Sequence, residues 1–179
     1  MSTANGNKST NEVFVMIKPL ALKHPLLADE IKRALACIGT VSRPQLRHVS
    51  RDLCRAHYRF DSTTAPDRTA KHLPAIVNYL QGQMVLSLVL TLNDTTPIGA
   101  DDDFCGFIRS EIVGPSEPMK CAQKHIRHRA RSMDYRVAVD VPDADRVADF
   151  QPFAKDNLIH CSDSPQSARR EIALWYPRR

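Results

Sequence analysis

The chain has 179 residues, 42% of them hydrophobic and 25% charged, which predicts one soluble globular domain with material for a two-layer core. No apolar run is long enough to span a bilayer, and the polar start "MSTANGNKST" lacks the layout of a signal peptide, so a cytoplasmic protein with a disordered leader over residues 1–11 is expected. The net charge of +5 is concentrated around Lys120, Lys124, Arg127, Arg129, Arg131 and Arg136, while only 6% of residues are aromatic. Such a run suits a small polyphosphate better than nucleic acid, whose single strands need stacking platforms.

"EVFVMIK" (12–18) alternates and reads as a strand that Pro19 ends. "PLLADEIKRALACIG" puts Leu26, Leu27, Ile31, Leu35 and Ile38 on one helical stripe closing at Gly39. "TVSRPQLRHVS" (40–50) reads as a strand confined by Pro44 to an edge or a bulge. Ser50 caps a short helix "RDLCRAHY". A loop over 59–71 leads to the helix "LPAIVNYLQG", and "MVLSLVLTL" (84–92) is the clearest strand. A second loop (93–103) precedes a short helix over 104–114. Residues 115–156 are irregular, with one strand-like run at "YRVAVDV". A last strand, "NLIH" (157–160), meets a helix over 165–175 in which Ser164 caps, Pro165 takes the first position, and Ala168, Ile172 and Trp175 line one face. Strands interleaved with helices give an α+β sandwich around one mainly antiparallel sheet.

The five cysteines are odd in number and lack a C-x-x-C pair, consistent with free thiols in a reducing compartment. Cys121, His125 and His128 have helical spacing that could suit a metal, but a basic solvated segment is the better reading, and no metal held by the protein is expected.

His160 is the residue with chemical promise. Neutral imidazole is a nucleophile near pH 7, provided one ring nitrogen faces the substrate and a partner holds the other. Phosphoryl transfer also needs cations and neutral donors nearby, and Glu171 on the following helix is a candidate orienting carboxylate. On local pattern alone, a histidine at a strand end before a capped helix is more often structural.

The segment "NLIHCSDSPQSARREIALWY" resembles the active-site segment of the nucleoside diphosphate kinases, N-x-x-H-G-S-D-S followed by A-x-x-E-I, matching Asn157, His160, Ser162, Asp163, Ser164, Ala168, Glu171 and Ile172. "VFVMIKPLALKHPLL" is similar to that family's first strand and lysine-proline turn, placing Lys18. "AHY" resembles the segment carrying its active-site tyrosine, here Tyr58. "GPSEP" resembles its G-x-T-x-P turn, with Ser116 for the threonine, and "HIR" its arginine segment, with Arg127. The resemblance runs from about Val13 to Tyr176.

It implies a ferredoxin-like βαββαβ sandwich whose four-stranded sheet is covered by helices. It also implies a ping-pong reaction in which a nucleoside triphosphate carrying Mg²⁺ gives its γ-phosphoryl group to His160, and a nucleoside diphosphate collects it. By the same resemblance Lys18, Arg127 and Ser116 contact phosphates, Asn157 and Lys18 meet the ribose hydroxyls and β-phosphate side, Glu171 orients His160, and Tyr58 packs beside Lys18 and the ring. Ser162 belongs to the matched nucleotide-binding set. Arg109 takes the place of a further phosphate-binding arginine, although one residue farther from Gly114 than the family spacing, and His72 falls where the family stacks the base.

Four departures stand out: Cys161 where glycine follows the histidine, Leu20 where aspartate follows lysine-proline, His72 for phenylalanine, and an enlarged loop at about 128–155. A side chain at 161 is expected to fit beside the nucleophile, where a thiol is open to oxidation or modification. The short end after Tyr176 argues for a homodimer rather than a hexamer. Two rival readings stay open, a catalytically weakened nucleotide-binding or scaffold protein and a specialised phosphotransferase or nucleotide hydrolase.

Overall fold

A computed structural model describes residues 11–58, 66–93, 103–116, 120–132 and 157–177. Apart from Asn11, the expected leader lies outside these residues, as do most of the enlarged loop and the strand-like run at 135–141.

Among the described residues four strands build one sheet: β1 (Glu12–Ile17), β2 (Gly39–His48), β3 (Met84–Leu92) and β4 (Ile159–Cys161), in the order β2-β3-β1-β4. Every neighbouring pair is antiparallel. With the helices between them this is the expected ferredoxin-like α+β sandwich. The helices are α1 (Pro19–Leu22), α2 (Pro25–Ala36), α3 (Arg51–His57), α4 (Pro66–Leu80), α5 (Phe104–Phe107) and α6 (Pro165–Trp175).

Central β1 sets the layers. Its side chains alternate, so Val13, Val15 and Ile17 enter one core with Leu20, Ile31, Leu35, Leu88 and Leu90. Phe14 and Met16 enter a second core with Cys54, Val77, Leu80, Val85 and Trp175. Burial on both faces explains why β1 and β3 read as near-continuous apolar runs.

β2 lies at a sheet edge, and its register shifts between Ser42 and Gln45, where Arg43 takes φ 52° just before Pro44. Both expectations for Pro44, edge and bulge, are met. Beyond α6, the Tyr176 hydroxyl lies 2.8 Å from Arg43 O and 2.9 Å from Ser87 Oγ, pinning the C-terminal end of the described chain to this bulge.

Three boundaries differ from the sequence reading. α4 begins at Pro66 rather than near Leu73, so Pro74 sits inside the helix and removes one backbone bond there. The short helix after Asp103 is α-helical only to Phe107 and continues as π-helical turns over Ile108–Val113, ending at Gly114 with φ 86°. The last strand is Ile159–Cys161, not Asn157–His160, because Leu158 takes the left-handed φ of 58° and breaks the extended run. No helix among the described residues is long and apolar enough to cross a membrane.

Candidate active site

β4 and α6 face each other across the second core. His160 is the middle residue of β4 and pairs with Met16, so its ring lies on the side of Phe14. Ser164 caps α6 by accepting from Ser167 N at 3.2 Å, and Pro165 occupies the first turn. From there Ala168, Glu171 and Trp175 are the buried face of α6.

Glu171 is the electrostatic centre of this cluster. Its Oε2 accepts from His160 Nε2 at 3.2 Å and from the Ser162 hydroxyl at 2.7 Å, and its Oε1 from Arg170 Nη2 at 3.3 Å. Burial raises its proton affinity, but His160, His57 and the Ser162 hydrogen bond outweigh that and hold the carboxyl at about 2. Glu171 is therefore a carboxylate near neutral pH and can only accept, which requires the proton of neutral His160 to sit on Nε2. Nδ1 keeps its lone pair and has no hydrogen bond among the described residues. The His160 side chain is 18% exposed against 4% for Glu171. A histidine held at one nitrogen and open at the other is what nucleophilic attack needs.

Two more rings complete the setting. His57 and Tyr58, at the end of α3, meet His160 edge-on, with centroids 4.5 Å and 5.7 Å away. His57 is buried and accepts at Nδ1 from the Trp175 indole at 3.2 Å. Desolvation, then the neighbouring His160, keep its pKa well below the ordinary 6.5, so it stays neutral. The sequence reading took Tyr58 from "AHY" and passed over His57. Adjacency to Tyr58 in that run was the only available signal.

The remaining predicted residues divide. Lys18 is buried at the end of β1, its N–H donating to Leu158 O at 2.8 Å, and its charge bears on both His57 and Cys54. Asn157 is buried and ties down the 114–116 turn by donating from Nδ2 to Ser116 O at 3.0 Å. Arg127 is buried, with Nε and Nη2 donating to Ile159 O at 3.3 and 3.0 Å and Nη1 to Gly114 O at 2.6 Å. Arg127 thus joins the turn to β4. Arg109 is half exposed and lies 3.8 Å from Asp163. His72 lies in α4, and its side chain is outside the described residues.

Cys161 overturns an expectation. Strand alternation sends it to the opposite face from His160, into the first core beside Ile159. It does not lie beside the nucleophile, and burial pushes its thiol up to about 11. Leu20 is likewise fully buried in that core, so an apolar side chain fills the place of the expected aspartate. Cys121 donates its thiol to Pro115 O and His125 Nδ1 accepts from Ala122 N, so these two residues serve their own loop. Among the described residues the metal-like grouping is His57, His160 and Glu171 instead.

This geometry can be set against known proteins. A model of the family described as nucleoside diphosphate kinase matches residues 11–179. The chain belongs to that family. Similar curated relatives are nucleoside diphosphate kinases from Mycolicibacterium smegmatis, 28% identical over 94% of this chain and 96% of the relative, and Mycobacterium avium, 29% identical over 94% and 98%. The fold is shared with the nucleoside diphosphate kinase of Encephalitozoon cuniculi, at a TM-score of 0.60, 22% identity and coverage of 93% and 89%. It is shared too with that of Borrelia burgdorferi, solved as a transition-state mimic with vanadate and ADP, at a TM-score of 0.62, 18% identity and coverage of 92% and 86%. Membership in the family gives the cluster around His160 its meaning as a candidate phosphotransfer site.

Proposed function

We infer that the protein is a nucleoside diphosphate kinase that carries the phosphoryl group on His160. The observation that carries this reading is the Glu171–His160 bond, which fixes the proton on Nε2 and leaves Nδ1 as nucleophile. Nδ1 forms a bond to the γ-phosphorus of a nucleoside triphosphate as the bond to the bridging oxygen breaks, and the diphosphate leaves with that electron pair. A second nucleoside diphosphate then attacks the phosphohistidine through a β-phosphate oxygen and restores neutral His160. The proton stays on His160 Nε2, donated to the Glu171 carboxylate throughout, so positive charge developing on the ring is offset where it arises.

Lys18, Arg127, Arg109 and Ser116 supply charge and donors to the phosphates, Asn157 and Lys18 face the ribose, Tyr58 flanks the ring, Ser162 steadies Glu171, and His72 is the candidate for the base. Arg127 has two of its five N–H groups uncommitted among the described residues, enough for one phosphate oxygen pair. Mg²⁺ arrives on the nucleotide phosphates. The carboxylates described around His160 fit that role, since Glu171 is held by His160 and Ser162 and Asp163 lies against Arg109. A homodimer is expected, and size measurement in solution tests it.

The rival reading, a weakened nucleotide-binding protein, draws on Arg127, whose guanidinium is largely spent on backbone carbonyls. One experiment separates the two. The protein is incubated with γ-labelled ATP and Mg²⁺. Acid-labile, base-stable label is expected, absent in His160→Ala and removed by added GDP. No label on the wild-type protein overturns the kinase reading. Label that no common diphosphate removes favours a specialised phosphotransferase.

A further inference from the structure

His57 is a buried titratable group beside His160 that the reaction above does not use. It sits in a cage of Phe14, Tyr58, Trp175 and His160, with ring centroids 5.4, 4.5, 5.7 and 4.5 Å away. One of its nitrogens lies within 4.8 Å of a ring nitrogen of His160 and a Glu171 oxygen. Two histidines and a carboxylate so grouped have the make-up of a site for a soft divalent cation.

The tautomer of His57 argues against a metal. An indole N–H can only donate, so the Trp175 bond makes His57 Nδ1 an acceptor and puts the imidazole proton on Nε2. Nε2 then has no lone pair for a cation, and His160 Nε2 has given its proton to the Glu171 bond. What remains is a neutral ring with a fixed N–H, and that Nε2 finds no hydrogen-bond partner among the described residues. The Tyr58 hydroxyl beside it shares this state, and a buried donor left without an acceptor calls for a reason.

His160 supplies one. The Glu171 bond decides which nitrogen faces inward, but one bond is a pivot about which the imidazole can still rock. The His57 ring stands at 75° to the His160 ring, so it buttresses the imidazole from outside its own plane. We propose that His57, locked by Trp175 as the neutral Nε2–H tautomer, is a positioning residue that fixes the ring plane of His160 for in-line attack. Trp175, one turn beyond Glu171 on α6, is the anchor of this arrangement, so one helix face sets both the tautomer of His160 and its plane.

This inference rests on His160 being the phosphoryl carrier. A misplaced reacting ring costs about 10²-fold in rate. His57→Phe keeps a flat ring but loses the N–H and the lone pair, and His57→Gln keeps a donor and an acceptor. Single-turnover labelling from γ-labelled ATP is expected to fall about 10²-fold in His57→Phe, with ADP affinity unchanged, and to recover to within about tenfold of wild type in His57→Gln. Trp175→Phe releases the tautomer of His57 and falls between them. Nitrogen-15 NMR of the histidine rings is expected to show His57 protonated at Nε2 in the wild type, a mixture in Trp175→Phe, and a broadened His160 ring in His57→Phe.

A wild-type labelling rate in His57→Phe, or a sharp, unchanged His160 ring in that variant, overturns the proposal. So does a loss of ADP affinity in proportion to rate, which marks general damage. If the wild type itself takes no label, the carrier reading has failed, and the NMR arm still reports whether His57 orders His160.

Discussion

Replacing Glu171 with glutamine tests the centre of the site with almost no change of shape. In one orientation the amide oxygen faces His160 Nε2 and Ser162 Oγ, and the amide nitrogen meets Arg170, which is half exposed and can swing aside. His160 then keeps its tautomer but exchanges a charged acceptor for a neutral one. Hydrogen bonds to charged groups contribute about 1.5–3 kcal/mol and neutral ones about 0.5–1.5 kcal/mol, so the loss is about 1–1.5 kcal/mol, or roughly tenfold in the rate of phosphoenzyme formation. The reversed amide offers an N–H to His160, drives the imidazole proton to Nδ1 and removes the nucleophile, so it only deepens the defect. Acid unfolding gives the second readout. The carboxyl sits at about 2 in the folded protein against an ordinary 4.5, so its contribution is full above pH 4.5 and is lost as pH falls from there toward 2. At about 1.4 kcal/mol per tenfold change in proton affinity, that is about 3 kcal/mol. Denaturant unfolding at pH 7 and near pH 2.5 is expected to show wild type losing that advantage over Glu171→Gln. Labelling of Glu171→Gln at the wild-type rate, or a stability gap that does not change with pH, would refute the reasoning.

Cys161→Ala is expected to cost about 1–2 kcal/mol of stability through the cavity it opens in the first core, while labelling of His160 changes by less than about twofold; unfolding curves and quench assays check both. His57 is buried neutral, so the unfolded chain binds a proton below pH 6.5 that the folded chain refuses. Stability should therefore fall as pH drops below 6.5, by up to about 1.4 kcal/mol per pH unit, and His57→Phe should remove that slope. Gly39→Ala would place a Cβ 2.5 Å from Thr91 O and 2.9 Å from Leu90 Cδ1, forcing β2 away from β3 at a cost of about 1–3 kcal/mol, visible as a lower thermal midpoint.

Local patterns in the sequence carried the parts of this fold that depend on neighbours in the chain. The short apolar run Met84–Leu92 gave β3 its observed bounds, and Ser164 with Pro165 gave the start of α6. Ser50 caps α3 as its position suggested, accepting from Leu53 N. Pro44 misled no reading because its missing donor has one consequence at any sheet position. The failures depended on through-space facts. The left-handed turn at Leu158 has no residue-type signature, so β4 was placed two residues early. Sequence adjacency put Cys161 beside His160, whereas the pleat separates them by the thickness of the sheet. Pro74 looked like a helix start because a proline inside a helix is costly, and the backbone accepted that cost once α4 began at Pro66. For the site, the motif gave His160, Glu171 and Ser162 because all three lie on one strand–helix unit. It is silent on His57, which joins the cluster only when α3 meets α6.

Arg127 also bears on solubility. In the pairing of β4 with β1, Leu158 O and Ser162 N point inward to Lys18 N and Phe14 O, so Ile159 O faces the outer margin of the sheet. A bare margin is a template on which a foreign strand can dock. The guanidinium occupies that carbonyl with two N–H groups and ties it to the Gly114 turn, closing the sheet where no fifth strand follows among the described residues. Arg127→Met would thus remove the cation proposed for the phosphates and also expose an aggregation-prone margin. Arg127→Lys, which keeps the charge but not the planar fork, separates these effects: phosphate affinity should survive in part while resistance to self-association declines.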